Sequence, residues 1–263
     1  MIQESYIRAW KEHAPWTDWA QVEQDMIICR GMIEIFRHPL LSRALMMRGG
    51  TVLHKMFFYP PHRYSEDLDF VQAEAGPIGP IFDALHEVMT PWLGKPQRKQ
   101  GPGVVNLTYR MDAEIAPIRP LKLKVEINTR EHVSYMGSLA KDFAMSSGWF
   151  NESCKVNTFH LEELLATKLR ALYQRRKGRD LFDLWLGLTV GKADAQKVVE
   201  LFQAYMRAAG QTISQAVFLD NLEAKKSHPG FALDLPPLLA PGLTYSWEYA
   251  FTVVQDHLVK RLP

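Results

Sequence analysis

Hydrophobic residues recur along this chain with two different periods, and the change between them divides it. Residues 17 to 37, TDWAQVEQDMIICRGMIEIFR, open with a Thr-Asp capping signal and carry apolar residues at mostly helical spacing, which predicts a helix. The apolar run ALMMR (44–48), then Gly49-Gly50-Thr51, then VLHKMFFY reads as strand, tight turn and helix, ended by Pro60-Pro61. DLDFVQ (67–72) predicts a second strand and residues 78 to 93 a helix. VVNLTYRM (104–111) and LKLKVEIN (121–128) alternate apolar and polar residues, as half-buried strands do. From about residue 159 the pattern is helical throughout. FHLEELLATKLRALYQRR, DLFDLWLGL, DAQKVVELFQAYMRAA, ISQAVFLDNLEAKK and SWEYAFTVVQDHLVKRL are helix candidates, and the Pro-rich HPGFALDLPPLLAPG (228–242) is a loop between them. The pattern predicts an α/β domain with N-terminal helices over residues 1–150 and a helical domain over residues 151–263.

Composition narrows the class. A chain of 263 residues can bury a sizeable core, and 47% hydrophobic with 23% charged residues excludes disordered and fibrous classes. A net charge of +2 rules out a wholesale polyanion binder, so any nucleic-acid contact must come from a local basic patch. Cys29 and Cys154 stand far apart without metal-ligand spacing, which fits a reducing compartment and ordinary packing. MIQESYIRAWKEH has no apolar signal-peptide core, and nowhere do 18 apolar residues run together. The expectation is a cytoplasmic protein with no membrane partner.

Candidate chemistry begins at RYSEDLDF (63–70), where Glu66, Asp67 and Asp69 precede a core position. Residues two apart on a strand share a face, roughly 6.5 Å apart, so Asp67 and Asp69 can point into one site. Their repulsion is relieved by a divalent cation, and hard oxygen ligands suit Mg²⁺. The competing reading is a turn with an exposed acidic rim. Gly49-Gly50 permits a sharp turn and offers N–H groups to an anion. Thr51 is either a phosphate contact or the N-cap of the next helix, and Lys55 either reaches a phosphate or lies along the surface. Glu126 sits with Lys122 and Lys124 on the polar side of its strand. It is a solvated residue, or a third carboxylate that completes the metal site or acts as general base.

In the helical half, Leu161, Leu164, Leu165 and Leu172 form a stripe with Lys168 at its centre and Arg175 on the same line. A lysine there calls for a carboxylate or phosphate opposite it. From Lys168 to Asp180 there are six Lys or Arg residues and one acid. Arg175 and Arg176 belong to this run, which either complements a helix dipole or attracts a triphosphate or an RNA backbone. Gly178 reads as a helix stop and Asp180 as the cap of the next helix, with Asp183 in its first turn.

RGGTVLHKMFFYPPHRYSEDLDF resembles the first signature of DNA polymerase β-type nucleotidyltransferases. The wider pattern is similar to the AbiEii/AbiGii toxin family: Gly49-Gly50-Thr51, Arg63 to Asp69, the strand acid Glu126, Lys168 to Arg175, and Arg179 to Asp183. The resemblance implies an α+β fold, a polymerase-β-like mixed sheet with flanking helices plus a C-terminal helical domain. It also implies Mg²⁺-dependent transfer of a nucleotide from a nucleoside triphosphate by a toxin of a toxin–antitoxin or abortive-infection system. Some members act on tRNA 3′ ends, and a cognate antitoxin is expected nearby. By matching position, Asp67 and Asp69 hold the metal, with Glu126 as the third acid. Gly49, Gly50, Thr51 and Ser65 contact phosphates, and Lys168 and Asp180 complete the site.

Two further readings compete with transfer to RNA. One is the same chemistry on a protein or small molecule, and the other a non-catalytic nucleotide-binding regulatory module. The intact Asp67/Asp69 pair argues against the latter and the basic run against a small substrate.

Overall fold

The two periods become two units in the computed structural model, which describes residues 2–263: one unit runs to Phe159, the other from His160 to Pro263. In the first, α1 (Glu4–Ala9) precedes α2 (Trp19–Arg37) and the short α3 (Pro39–Ala44). β1 (Leu45–Arg48) then enters α4 (Gly49–Val52), which continues as a π-helical turn over Leu53–Phe57. β2 (Asp67–Gln72), α5 (Gly79–Leu93), β3 (Gln97–Gly101) and β4 (Val104–Asp112) follow, then β5 (Pro120–Asn128), β6 (Ser138–Ser146) and β7 (Asn151–Phe159). The strands form one seven-stranded sheet in the order β3-β4-β5-β2-β1-β7-β6. β2 runs parallel to β5 and β1 to β7, and the remaining pairs are antiparallel, so this is the expected mixed sheet.

The alternation in β4 and β5 sets which face is core. Val105, Leu107 and Tyr109 join Leu121, Leu123, Val125 and Ile127 in the buried layer, leaving the intervening polar residues on the other face. Against the apolar layer lies α2, started by the Asp18 carboxylate accepting from Ala20 N at 3.0 Å. A Cβ on its Gly31 would meet Met89 Cε at 3.2 Å and Leu68 Cδ1 at 3.3 Å, so glycine lets the helix approach the sheet. Arg30 on α2 places its guanidinium over Trp92, Trp149 and Phe150, at 4.4, 4.8 and 4.9 Å.

Three strands had no signal in the apolar pattern. β3, QRKQG, is almost wholly exposed, and the β6–β7 hairpin carries exposed polar residues through most of its length. β3 and β6 are the edges of the sheet and β7 meets β1 at its Thr158 end, so none of the three needs strict apolar alternation, which is why these were not predicted. The hairpin is nonetheless part of the sheet, since Met47 on β1 aligns with Thr158 on β7 and the Thr158 hydroxyl donates to Met47 O at 2.7 Å. The α/β unit therefore ends at Phe159 rather than at residue 150.

The second unit holds α6 (Leu161–Gln174), α7 (Gly178–Thr189), α8 (Ala195–Ala208), α9 (Gln215–Lys226), the short α10 (Pro229–Ala232) and α11 (Trp247–His257). The helix candidates thus all form, and the Pro-rich passage contains α10 and a 3-10 turn at Pro236–Leu238. α6 packs on α7 and α8, with Leu164, Leu165, Leu169 and Leu172 fully or nearly buried. Gly187 on α7 permits that approach, since a Cβ there would lie 2.4 Å from Leu165 Cδ1. Buried Glu163 accepts from the Tyr205 hydroxyl at 2.8 Å. Among the described residues no helix is long and apolar enough to cross a membrane.

Candidate active site

β2 and β5 bring the carboxylates together by register. Their parallel pairing sets Asp67 beside Lys124 and Asp69 beside Glu126, all on the polar face. Asp67 is half-buried, and burial together with neighbouring Asp69 pushes its carboxyl up to about 6. Lys124 lies between the acids, its Nζ 3.0 Å from Glu126 Oε2 and 3.7 Å from Asp67 Oδ2. Burial pulls its ammonium down, but Asp67, Glu126 and Asp69 outweigh that and hold it above the usual lysine value. Lys124 is the site residue that sequence reasoning missed. Its position two residues before Glu126 on the same strand face was the available signal.

Among the described residues no three His, Cys, Asp or Glu side chains converge on one metal position. The aspartates supply two ligands, while Glu126 is turned to Lys124. Two carboxylates with remaining positions left to phosphate and water are a donor set that Mg²⁺ accepts, so Asp67 and Asp69 fit the ion.

The glycine turn is fitted to these acids. Gly49 has φ +84°, a conformation that disfavours other residues, and a Cβ there would lie 2.2 Å from Asp69 Oδ2. Behind Gly50, a Cβ would meet the Arg63 guanidinium at 2.4 Å and Ser65 Oγ at 2.8 Å. Arg63 is 2% exposed and donates to Tyr64 O at 2.9 Å, so the loop before β2 is braced by a buried cation. Thr51 is buried; its hydroxyl donates to Asp67 O at 2.5 Å and is hydrogen-bonded with Ser65 Oγ at 2.9 Å. Gly49, Gly50, Thr51 and Ser65 are thus gathered at one end of β2, with Thr51 tying the turn to the strand. Gly49→Ala strains the backbone by about 1–2 kcal/mol and displaces Asp69. We expect transfer to fall at least roughly a hundredfold with a melting temperature a few degrees lower, read by steady-state kinetics and thermal denaturation.

Lys55 has a different partner from the one the sequence suggested. It points to Asp25 on α2, Nζ to Oδ2 2.5 Å, and the same carboxylate accepts from Trp10 Nε1 at 2.9 Å and Trp16 Nε1 at 3.3 Å. Burial pulls Lys55 down, but Asp25 more than offsets this and keeps it charged. Cys29, beside the pair, is pushed up to about 12 by burial and remains an inert packing residue.

In the helical unit, Lys168, Arg175 and Asp180 are brought to one another. Lys168 Nζ lies 3.2 Å from Asp180 Oδ1 and 2.8 Å from Asp183 Oδ2, and both aspartate side chains are fully buried. Arg175 closes on Asp180 with two hydrogen bonds of 2.7 and 2.8 Å. Further along the basic run, Lys177 and Arg179 bind Asp234 at 3.1 and 3.0 Å, and Arg170 stands 5.1 Å over the Tyr205 ring. The run therefore spends most of its charge within its own unit, because the acids that neutralise it come from α7 and the Pro-rich passage. Arg176 remains exposed.

The family description "Nucleotidyl transferase AbiEii toxin, Type IV TA system" matches residues 32–253. Among solved structures, the nucleotidyltransferase toxin MenT4 of Mycobacterium tuberculosis H37Rv is similar with a TM-score of 0.65 and 17% identity, covering 98% of this chain and 90% of that one. JHP933 from Helicobacter pylori is similar with a TM-score of 0.55 and 16% identity, covering 92% and 91%. No curated protein matches the sequence significantly.

Proposed function

This chain belongs to the AbiEii family of nucleotidyltransferase toxins, and from that premise we propose that it transfers a nucleoside monophosphate from a nucleoside triphosphate to the 3′ end of an RNA, a tRNA by preference, with Mg²⁺ at Asp67 and Asp69. The observation that carries this reading is the fit of Gly49 to Asp69, with no room for a single carbon between the phosphate turn and the carboxylate. Such a fit supports a site in which triphosphate oxygens and carboxylates meet at one position. Asp67 and Asp69 would hold a divalent ion there, and it would supply neutralisation of the charge that builds up on the phosphates.

The remaining steps belong to the chain's own groups. Backbone N–H groups of the Gly49–Gly50 turn and the Ser65 hydroxyl hold the triphosphate, and Arg63 and Thr51 keep that turn in place. Lys124 screens Asp67 from Glu126 until substrate enters. The RNA hydroxyl oxygen forms the new bond to the α-phosphorus, the bond from that phosphorus to the bridging oxygen breaks, and pyrophosphate departs. The hydroxyl proton passes to Glu126, the carboxylate on the side away from the phosphate turn. A cognate antitoxin restrains the activity in the cell.

Purified protein, Mg²⁺, each α-labelled triphosphate in turn and total bacterial RNA test this. Label in a tRNA-sized band, abolished by chelation and restored by Mg²⁺, is the expected outcome. Label on protein alone, or transfer that survives chelation, would overturn it.

A further inference from the structure

The sheet order gives the site two sides. The Gly49–Gly50 turn leaves β1, on one flank of β2, whereas Glu126 stands on β5, on the other. A triphosphate held by the turn leaves the flank of β5, β4 and β3 as the approach for the attacking hydroxyl.

Residues on that flank line up by register with the acids. One row across the sheet reads Asp69, Glu126, Asn106, Lys99, and the next Asp67, Lys124, Thr108, Gln97; Lys122 and Arg110 face each other one step further along. With strands about 4.8 Å apart, Lys99 stands roughly 14 Å from Asp69, and the Lys122/Arg110 pair roughly 7 Å beyond Lys124. Lys99, Arg110 and Lys122 are exposed, and among the described residues none of them has an ion-pair partner. Among the described residues of β5, β4 and β3, the acids are Glu126 and Asp112, the latter at the far end of β4. Asn106, the first residue past Glu126, has a side-chain oxygen that is buried and accepts no hydrogen bond. An orphaned buried acceptor is costly unless a ligand supplies the donor.

We propose that this face of β5, β4 and β3 is the track for the single-stranded 3′ end of the acceptor RNA. Lys99, Lys122 and Arg110 bind its phosphates, and Asn106 Oδ1 accepts from the 2′-hydroxyl of its terminal ribose. The inference rests on the RNA reading above. Charge complementarity favours a polyanion here, because these cations are unpaired whereas Lys168, Arg175, Lys177 and Arg179 of the α6–α7 run are paired with Asp180, Asp183 and Asp234.

The test compares wild type with the triple variant Lys99→Gln, Arg110→Gln, Lys122→Gln in labelled transfer to total bacterial tRNA. The KM for RNA should rise roughly tenfold or more at physiological salt, and the salt slope should flatten by about 2 for three lost single-strand phosphate contacts. The KM for the triphosphate should stay unchanged. An unaltered RNA KM and slope would overturn the track, as would an equal loss in triphosphate KM. Wild type that labels no RNA would overturn the RNA reading, and the track with it, without need of the variant. For Asn106, a tRNA ending in 2′-deoxyribose should react about fivefold more slowly with wild type. Asn106→Ala should show that loss on the ribose acceptor and none further on the deoxy one. Wild type indifferent to the 2′-hydroxyl would remove Asn106 from the track.

Discussion

We expect Asp67→Asn to abolish nucleotide transfer, lowering it roughly a thousandfold or more, and to leave the metal-free protein more stable at pH 8 than wild type. The first effect follows from removing a pre-placed charge where phosphoryl transfer depends on charge neutralisation. The second follows from the direction of the Asp67 shift. Its carboxyl sits near 6 in the folded protein against an ordinary 3.8, so the folded state holds the proton more tightly than the unfolded chain. Stability therefore falls as pH climbs from about 4 to about 6, and the whole cost is present above that window. Asparagine cannot ionise, so the variant's advantage should be full at pH 8 and gone at pH 4. Mg²⁺ should reverse the order, because only wild type has both carboxylates with which to bind it. Melting curves at pH 4 and 8, with and without Mg²⁺, decide the matter. A variant that melts lower than wild type at pH 8 without metal would make Asp67 a structural residue, and full retained activity would remove it from the site.

We expect Lys168→Met to destabilise the helical unit by about 3–5 kcal/mol. Asp180 and Asp183 are fully buried, and Lys168 stands within 3.2 and 2.8 Å of their oxygens. Removing the ammonium leaves Asp180 to the half-exposed Arg175, and a buried carboxylate short of a cation costs far more than a surface pair returns. A loss of that size lowers the melting temperature by well over 10 °C for a unit of about a hundred residues. The resemblance has the same lysine complete the site, where it would meet a phosphate, and the two roles separate cleanly. A large melting shift with triphosphate KM preserved in the folded fraction makes Lys168 a brace between α6 and α7. A melting temperature within a few degrees of wild type, with triphosphate KM raised at least tenfold, makes it a ligand for phosphate.

The strength of each sequence signal followed from how local its cause is. DLDFVQ and LKLKVEIN were legible because a half-buried strand must alternate, and that alternation also fixed which side Asp67, Asp69, Lys124 and Glu126 occupy. The helices of the second unit were legible for the corresponding reason, each needing an apolar stripe. β3 and the β6–β7 hairpin were not, because the stability of such water-facing strands comes from hydrogen bonds to a neighbour the local pattern does not name. Gly49-Gly50 could be read as a turn, but not as a turn pressed against Asp69 from a residue further along the chain.

The sequence by itself thus determined the strands and helices with a strong apolar period, the polar face of β2 and β5 and the carriers of charge. Which charge meets which was decided only by the tertiary structure. Lys55 went to Asp25, the basic run of α6 and α7 closed on Asp180, Asp183 and Asp234, and Lys124 came to lie between Asp67 and Glu126. Periodicity records whether a side chain faces core or water, because burial energy depends on the residue's own surface. An ion pair depends on the distance to a second residue, and that distance exists only once strands and helices from separate parts of the chain have packed.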